Sequence, residues 1–109
     1  MITLLSLFTG DAENFTEDYL ISNNCNLKSD VLKVGHHGSS TSSSLKFLKA
    51  VNPSVAIISV GNNNTYGHPS LQTLTSLKNM NIDTYRTDLN GTIILSSNGN
   101  IINITLSSK

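Results

Sequence analysis

Val31-Leu-Lys-Val-Gly-His-His-Gly-Ser-Ser40 decides how this chain is read. A short, mostly apolar run passes directly into two adjacent histidines, a glycine and a row of hydroxyls. An extended segment that stops at imidazoles is how open α/β sheets deliver functional groups to the carboxyl ends of their strands. Strand Cβ atoms alternate faces, so His36 and His37 point opposite ways if the extension continues through them. One would then face the site, and the other would support it or reach it from a different angle. Thr9-Gly10-Asp11 upstream and Tyr66-Gly67-His68-Pro69 downstream carry the polar groups that answer this pair.

Working outward, residues 30–35 read as a strand, and residues 2–9, short, apolar and β-favouring, as another before it. Asp11 stands where a helix N-cap belongs, and Glu13 and Glu17 suit the dipole of the opening turns. Phe15, Tyr19 and Leu20 give that helix its apolar face, and Asn23, Asn24 and Asn26 end it. Residues 42–51 form a second helix with Leu45, Leu48 and Val51 inward, stopped by Asn52-Pro53. Residues 55–60 are nearly all apolar, as in a strand covered on both faces. After a loop over 61–67, Pro69 opens a third helix with Leu71, Leu74 and Leu77 as its packing stripe. Residues 82–87 are a fourth strand, and 92–96 and 101–106 close the chain as a hairpin through Asn98-Gly99.

The order β-α-β-α-β-α-β-β-β predicts an α/β domain in which helices pack on a mixed sheet. Asp11, His36/His37 and His68 each follow one of the first three strands. If those strands are neighbours, the three sites share one edge.

Composition narrows the function classes. The 109 residues suffice for one domain or part of a larger one. Seven Lys plus Arg balance seven Asp plus Glu, and the lysines are scattered. Nothing in this balance suggests the extended basic surface that dominates nucleic-acid affinity. The single cysteine, Cys25, permits no intrachain disulfide. Met1 to Phe8 is apolar but far short of the roughly 20 residues a membrane span needs, so this chain is expected to be soluble.

The chemistry is carried by few side chains. Asp11 is either a helix cap, worth about 1 kcal/mol, or a carboxylate metal ligand. Tandem histidines before Gly-Ser at a strand end are ligands or an acid/base pair rather than core histidines, which usually come singly. Imidazole with carboxylate suits zinc, manganese or iron. Ser39, Ser40, Thr41 and Ser42 read as capping and loop hydroxyls; a triad of Ser39, His37 and Asp11 lacks any nucleophile-elbow pattern. His68 is an N-cap surrogate, a general acid, a substrate-holding group or a ligand. Tyr66 either donates to a substrate oxygen or packs.

Five segments occur in a telling order: Leu7 to Ala12 (LFTGDA), Asp30 to Ser39 (DVLKVGHHGS), Ala56 to Gly61 (AIISVG), Tyr66 to Pro69 (YGHP) and Tyr85 to Asp88 (YRTD). Together they resemble the C-terminal half of the metallo-β-lactamase-like domain of the ComEC family, the competence membrane proteins for DNA internalisation, and of its stand-alone relatives. The resemblance runs from about Leu7 to the closing hairpin. It implies half of an αββα sandwich, with residues 1–109 as one partial domain. Asp11 matches the carboxylate that bridges two metal ions, and His37 the late histidine ligand. His36 then lies behind the ligands or on the substrate side with His68, the two standing as catalytic residues, and Ser39 and Tyr66 as substrate contacts. Ser59 also matches a position near the site.

The family's His-x-His-x-Asp-His run, which supplies most of the ligands, is absent from these 109 residues. Two ligands make a poor cage for a metal that normally takes about four, or three plus water. The resemblance therefore implies that the divalent metal, zinc or manganese, belongs to the complete domain, and that this chain alone holds little or none and is inactive. Its implied partners are the missing N-terminal half, single-stranded DNA in the parent protein, and itself, because half a sandwich exposes an apolar face. The implied parent is a bacterial plasma-membrane protein with this domain on one face. The enzymatic expectation is metal-dependent phosphoester hydrolysis; the alternative is a non-catalytic structural or interaction module with vestigial site residues.

Overall fold

The apolar runs become strands that lie side by side in chain order. In the computed structural model, which describes residues 5–10, 12–61, 67–98 and 101–107, β1 (Ser6–Phe8), β2 (Val31–Lys33), β3 (Val55–Ile58) and β4 (Asp83–Arg86) form one sheet, ordered β1-β2-β3-β4. Every pairing is parallel, and the register runs straight across: Ser6 opposes Val31, Val31 opposes Val55, and Val55 opposes Asp83. Helices α1 (Asn14–Ser22), α2 (Leu45–Val51) and α3 (Leu71–Asn79) make the crossovers that parallel neighbours require. A short helix, α4 (Thr87–Asn90), then leads into β5 (Thr92–Ser97) and β6 (Ile102–Ser107).

The two-residue period of the strands sorts the core into two layers. Leu32, Val34, Ala56 and Ile58 face the helices and pack with Phe47, Leu48, Val51 and Leu77, with Leu20 and Ile21 of α1 against them. Val31, Val55 and Ile57 face the other way, beneath Ile93, Ile102 and Ile104 of the hairpin. Burial on both faces explains why β3 reads as a continuous apolar run. Each fully buried aliphatic side chain contributes about 1.5–3 kcal/mol relative to an exposed one.

The α/β class holds, but the strand directions segregate. The hairpin is a separate two-stranded antiparallel sheet laid over the parallel one, where the sequence pattern predicted a single mixed sheet. Phe8 is 78% exposed, and Ser6, Lys33, Ile57, Ile93 and Leu95 line a cleft beside it. The expected turn at Asn98-Gly99 falls partly outside the described residues. Its flank is closed by the Ile101 amide donating to Asn98 Oδ1 at 2.9 Å.

Helix starts account for the other differences. α1 begins after Glu13, which makes no side-chain capping bond, rather than after Asp11. Its Phe15 and Tyr19 point to solvent, at 85% and 62% exposure. α2 begins only after Ser44, whose Oγ accepts from the Phe47 amide at 3.2 Å. The buried stripe is therefore Phe47, Leu48 and Val51, and Leu45 is half exposed. α3 is capped by Ser70, whose Oγ accepts from the Thr73 amide at 3.1 Å, so Pro69 precedes the helix instead of opening it. Its first residue, Leu71, is consequently exposed, and Thr73 and Leu77 face inward.

One buried charge ties the helices together. Glu17 of α1 is 1% exposed, and its carboxylate accepts from the amides of Ser43 at 2.5 Å and Ser44 at 3.0 Å. The Ser44 amide is the N-cap N–H of α2, without an intrahelical partner, and the Ser43 amide immediately precedes it, at the end of the helix where negative charge is favoured. Replacing Glu17 by Ala would leave the buried Ser43 amide and the part-buried Ser44 amide without this partner. We expect Glu17→Ala to lower stability by roughly 2–4 kcal/mol in urea denaturation followed by circular dichroism. A loss below about 0.5 kcal/mol would show that the clasp contributes nothing.

Candidate functional site

Four parallel strands place all their carboxyl ends on one edge, and the loops that leave them are bonded to each other. Thr9 Oγ1 donates to the Lys33 carbonyl at 2.7 Å. The His36 amide donates to the Gly10 carbonyl at 2.6 Å, and the Asn14 amide to the Thr41 carbonyl at 2.7 Å. Ser42 Oγ donates to the Ala12 carbonyl at 2.5 Å. The loop after β1 and the loop after β2 thus form one unit. Asp11 lies outside the described residues, but both of its chain neighbours bond to the histidine loop.

The extension of β2 ends at Val34, before the histidines. His36 (φ 51°, ψ 42°) and His37 (φ 54°, ψ 27°) both take left-handed backbone within a tight turn, Gly35–Gly38. Their rings do part company, though through this turn and not through strand alternation. His37 Nδ1 lies 2.6 Å from the Ser59 carbonyl oxygen. His36 turns toward His68, with ring centroids 5.8 Å apart and planes tilted by 49°. Its Nδ1 is 3.4 Å from Thr41 Oγ1.

A carbonyl only accepts, so His37 Nδ1 carries the proton in that bond. In the neutral ring, Nε2 then holds a lone pair, on a side chain that is exposed at the edge. This is how a ligating histidine is usually oriented, with its second nitrogen donating to a carbonyl or carboxylate. The donor chemistry of His37 therefore fits a divalent metal.

Glycine is required on either side of the pair. A Cβ on Gly35 would sit 2.9 Å from Thr9 Oγ1, and one on Gly38 2.6 Å from the Pro69 Cβ. Gly38 also accepts at its carbonyl from the Ser70 amide at 2.8 Å. This close approach carries the segment of His68 and Pro69 to the histidine turn. Ser39 is buried, and its Oγ bonds to Thr41 Oγ1 at 2.9 Å. Tyr66 lies outside the described residues. Among the described residues no group of three His, Cys, Asp or Glu is placed to hold a metal ion. The structure thus brings His36 to His68, turns His37 to Ser59, and bonds Gly10 and Ala12, the chain neighbours of Asp11, to the histidine loop.

Three supports come from the tertiary structure, although Ser59 had already matched a position near the site. The Ser59 carbonyl orients His37, Glu17 fastens the chain that follows the histidine turn, and Thr87 bonds to Val60 from the end of β4. Backbone acceptors leave no residue-type signal, and Glu17 looked like an ordinary first-turn acid.

No protein-family model matches the chain. It is 46% identical over 87 residues to "ComE operon protein 3" of Bacillus subtilis, covering 80% of this chain and 11% of that protein. It is 43% identical over 88 residues to "Competence protein ComA" of Neisseria gonorrhoeae, covering 80% of this chain and 13% of that protein. "Recombination protein 2" of Haemophilus influenzae is 49% identical over 63 residues, 58% of this chain and 8% of that protein. The chain belongs to the ComEC/competence family.

The chain spans only about a tenth of the length of these competence relatives. Among its described residues, no helix is long and apolar enough to cross a membrane. The family resemblance read from the sequence is thus upheld at the level of the competence proteins.

The two glycine positions of this ComEC-type segment make a matched test. Gly38→Ala combines φ of +82° with the contact on Pro69, whereas a Cβ on Gly61 meets nothing within 4 Å. We expect Gly38→Ala to cost at least about 2 kcal/mol in urea denaturation. Gly61→Ala should stay within about 0.5 kcal/mol of the unaltered chain. Equal effects would show that the histidine turn does not need its close approach to α3.

Proposed function

We propose that this chain is the C-terminal part of a metal-dependent phosphoesterase domain that acts on DNA during competence uptake. The observation that carries the reading is the 2.6 Å bond from His37 Nδ1 to the Ser59 carbonyl, which leaves Nε2 available at the shared strand edge. The competence relatives support the DNA context. In the complete domain His37 and Asp11 would hold a divalent ion, zinc or manganese, together with ligands from the preceding half. Bound there, the ion would supply Lewis acidity toward a phosphoester and lower the pKa of water.

The chain's own residues do the rest. His36 and His68, with rings 5.8 Å apart, stand on the substrate side, where a phosphate oxygen or a leaving group can take a hydrogen bond or a proton. Ser39 and Tyr66 are assigned to substrate contact through the loops that bear them. The neutral net charge puts the substrate's binding energy on the metal and on the rest of the parent protein, not on a basic groove here. The missing half of the domain is the partner for the cleft beside Phe8. The parent is a membrane protein carrying this domain on one face.

Calorimetric titration of the purified chain with zinc and with manganese tests the ligand assignment. We expect His37→Ala and Asp11→Ala each to weaken binding by at least about tenfold, and His36→Ala to change it by less than about threefold. Binding indifferent to both His37→Ala and Asp11→Ala would overturn the metal reading. The non-catalytic module would then be the better account.

A further inference from the structure

We propose that Thr87 is a positioning residue for His37, acting through the single peptide unit that joins Ser59 to Val60. The ladder between β3 and β4 ends at the pair Ile58 and Arg86. Just beyond it, a side chain takes over the backbone's role. Thr87 Oγ1 accepts from the Val60 amide at 2.8 Å and donates to the Val60 carbonyl at 3.0 Å. A hydroxyl has one proton to give and lone pairs to accept with, so one threonine satisfies both polar groups of a buried residue.

The Val60 N–H and the Ser59 C=O belong to the same planar peptide. It is trans, since the cis bond in the described chain is at His68-Pro69. Its N–H and C=O therefore point in opposite directions and cannot turn independently. Thr87 holds one end of this rigid plate, and the other end accepts from His37 Nδ1 at 2.6 Å. Rotating the plate away from Thr87 would rotate the carbonyl away from the imidazole. The bond at the N–H also polarises the carbonyl and makes it a better acceptor.

Thr87 is itself held. The Arg86 amide donates to Asn90 Oδ1 at 2.9 Å, and the Arg86 guanidinium forks onto Asp88 at 3.0 and 2.7 Å. The end of β4 thereby sets the tautomer and aim of a ring at the end of β2. The role rests on the metal reading only where zinc binding is concerned; the tautomer is a property of the chain alone.

The test is long-range proton–nitrogen NMR of the neutral histidine rings, with Thr87→Val and Thr87→Ser. The unaltered chain and Thr87→Ser should show His37 protonated at Nδ1, and Thr87→Val should lose that preference. Zinc affinity should fall about tenfold in Thr87→Val and recover in Thr87→Ser. A folded Thr87→Val that keeps the Nδ1 proton overturns the proposal, whether or not any of the chains binds zinc. Should Thr87→Val fail to fold, hydrogen exchange on the unaltered chain decides. The Val60 amide, though beyond the ladder, must be protected at least about tenfold, and an unprotected amide overturns the assignment.

Discussion

Two consecutive non-glycine residues in left-handed backbone, His36 and His37, are the constraint on which the edge of this sheet depends. Such backbone costs roughly 1–2 kcal/mol per residue, and nothing in a histidine offsets that locally. It persists because its surroundings over-determine it. The His36 amide is held by Gly10, the Ser39 amide closes the turn on His36, and the His37 ring is pinned to Ser59.

The turn in turn organises the loops around it. Its glycines let the chain pass close to Thr9 on one side and Pro69 on the other. The stretch that follows is bonded to the loop after β1 and capped at the start of α2 by Glu17 from α1. Described residues that follow β1, β2 and β3 are thereby bonded to one another before any ligand arrives. Pre-organisation of this kind is what a site needs if a metal or substrate is not to bear the cost of ordering it. Placing the histidines beside rigid strands rather than on a long loop serves the same end.

The opposite face is less complete. The hairpin covers Val31, Val55 and Ile57 but leaves β1, with Phe8 exposed, beside a cleft. The chain covers about a tenth of the length of its competence relatives. The histidine-bearing edge and the apolar border lie on the same short sheet. Closure of one by further chain would therefore bear directly on the strands that carry the other.

Much of this was legible in the residues. Short apolar runs separated by helical patterns determined the α/β class, the strand order along the chain and the three polar stations at strand ends. Local pattern encodes those, because periodicity and turn residues act over a few positions. Asn98 and the inward set of Leu48, Val51 and Leu77 were readable for the same reason. Leu45 and Leu71 differ from expectation because each is the first residue of its helix, just after the cap, and Phe15 and Tyr19 because α1 turns Leu20 and Ile21 to the core instead. What only the tertiary structure decided is the segregation into two sheets, the left-handed histidine turn, the burial of Glu17 and the hold of Thr87 on Val60. Each rests on a hydrogen bond or packing contact between segments distant in sequence, often to a backbone group. A backbone acceptor is the same in every residue, so no local pattern can announce which one a side chain will find.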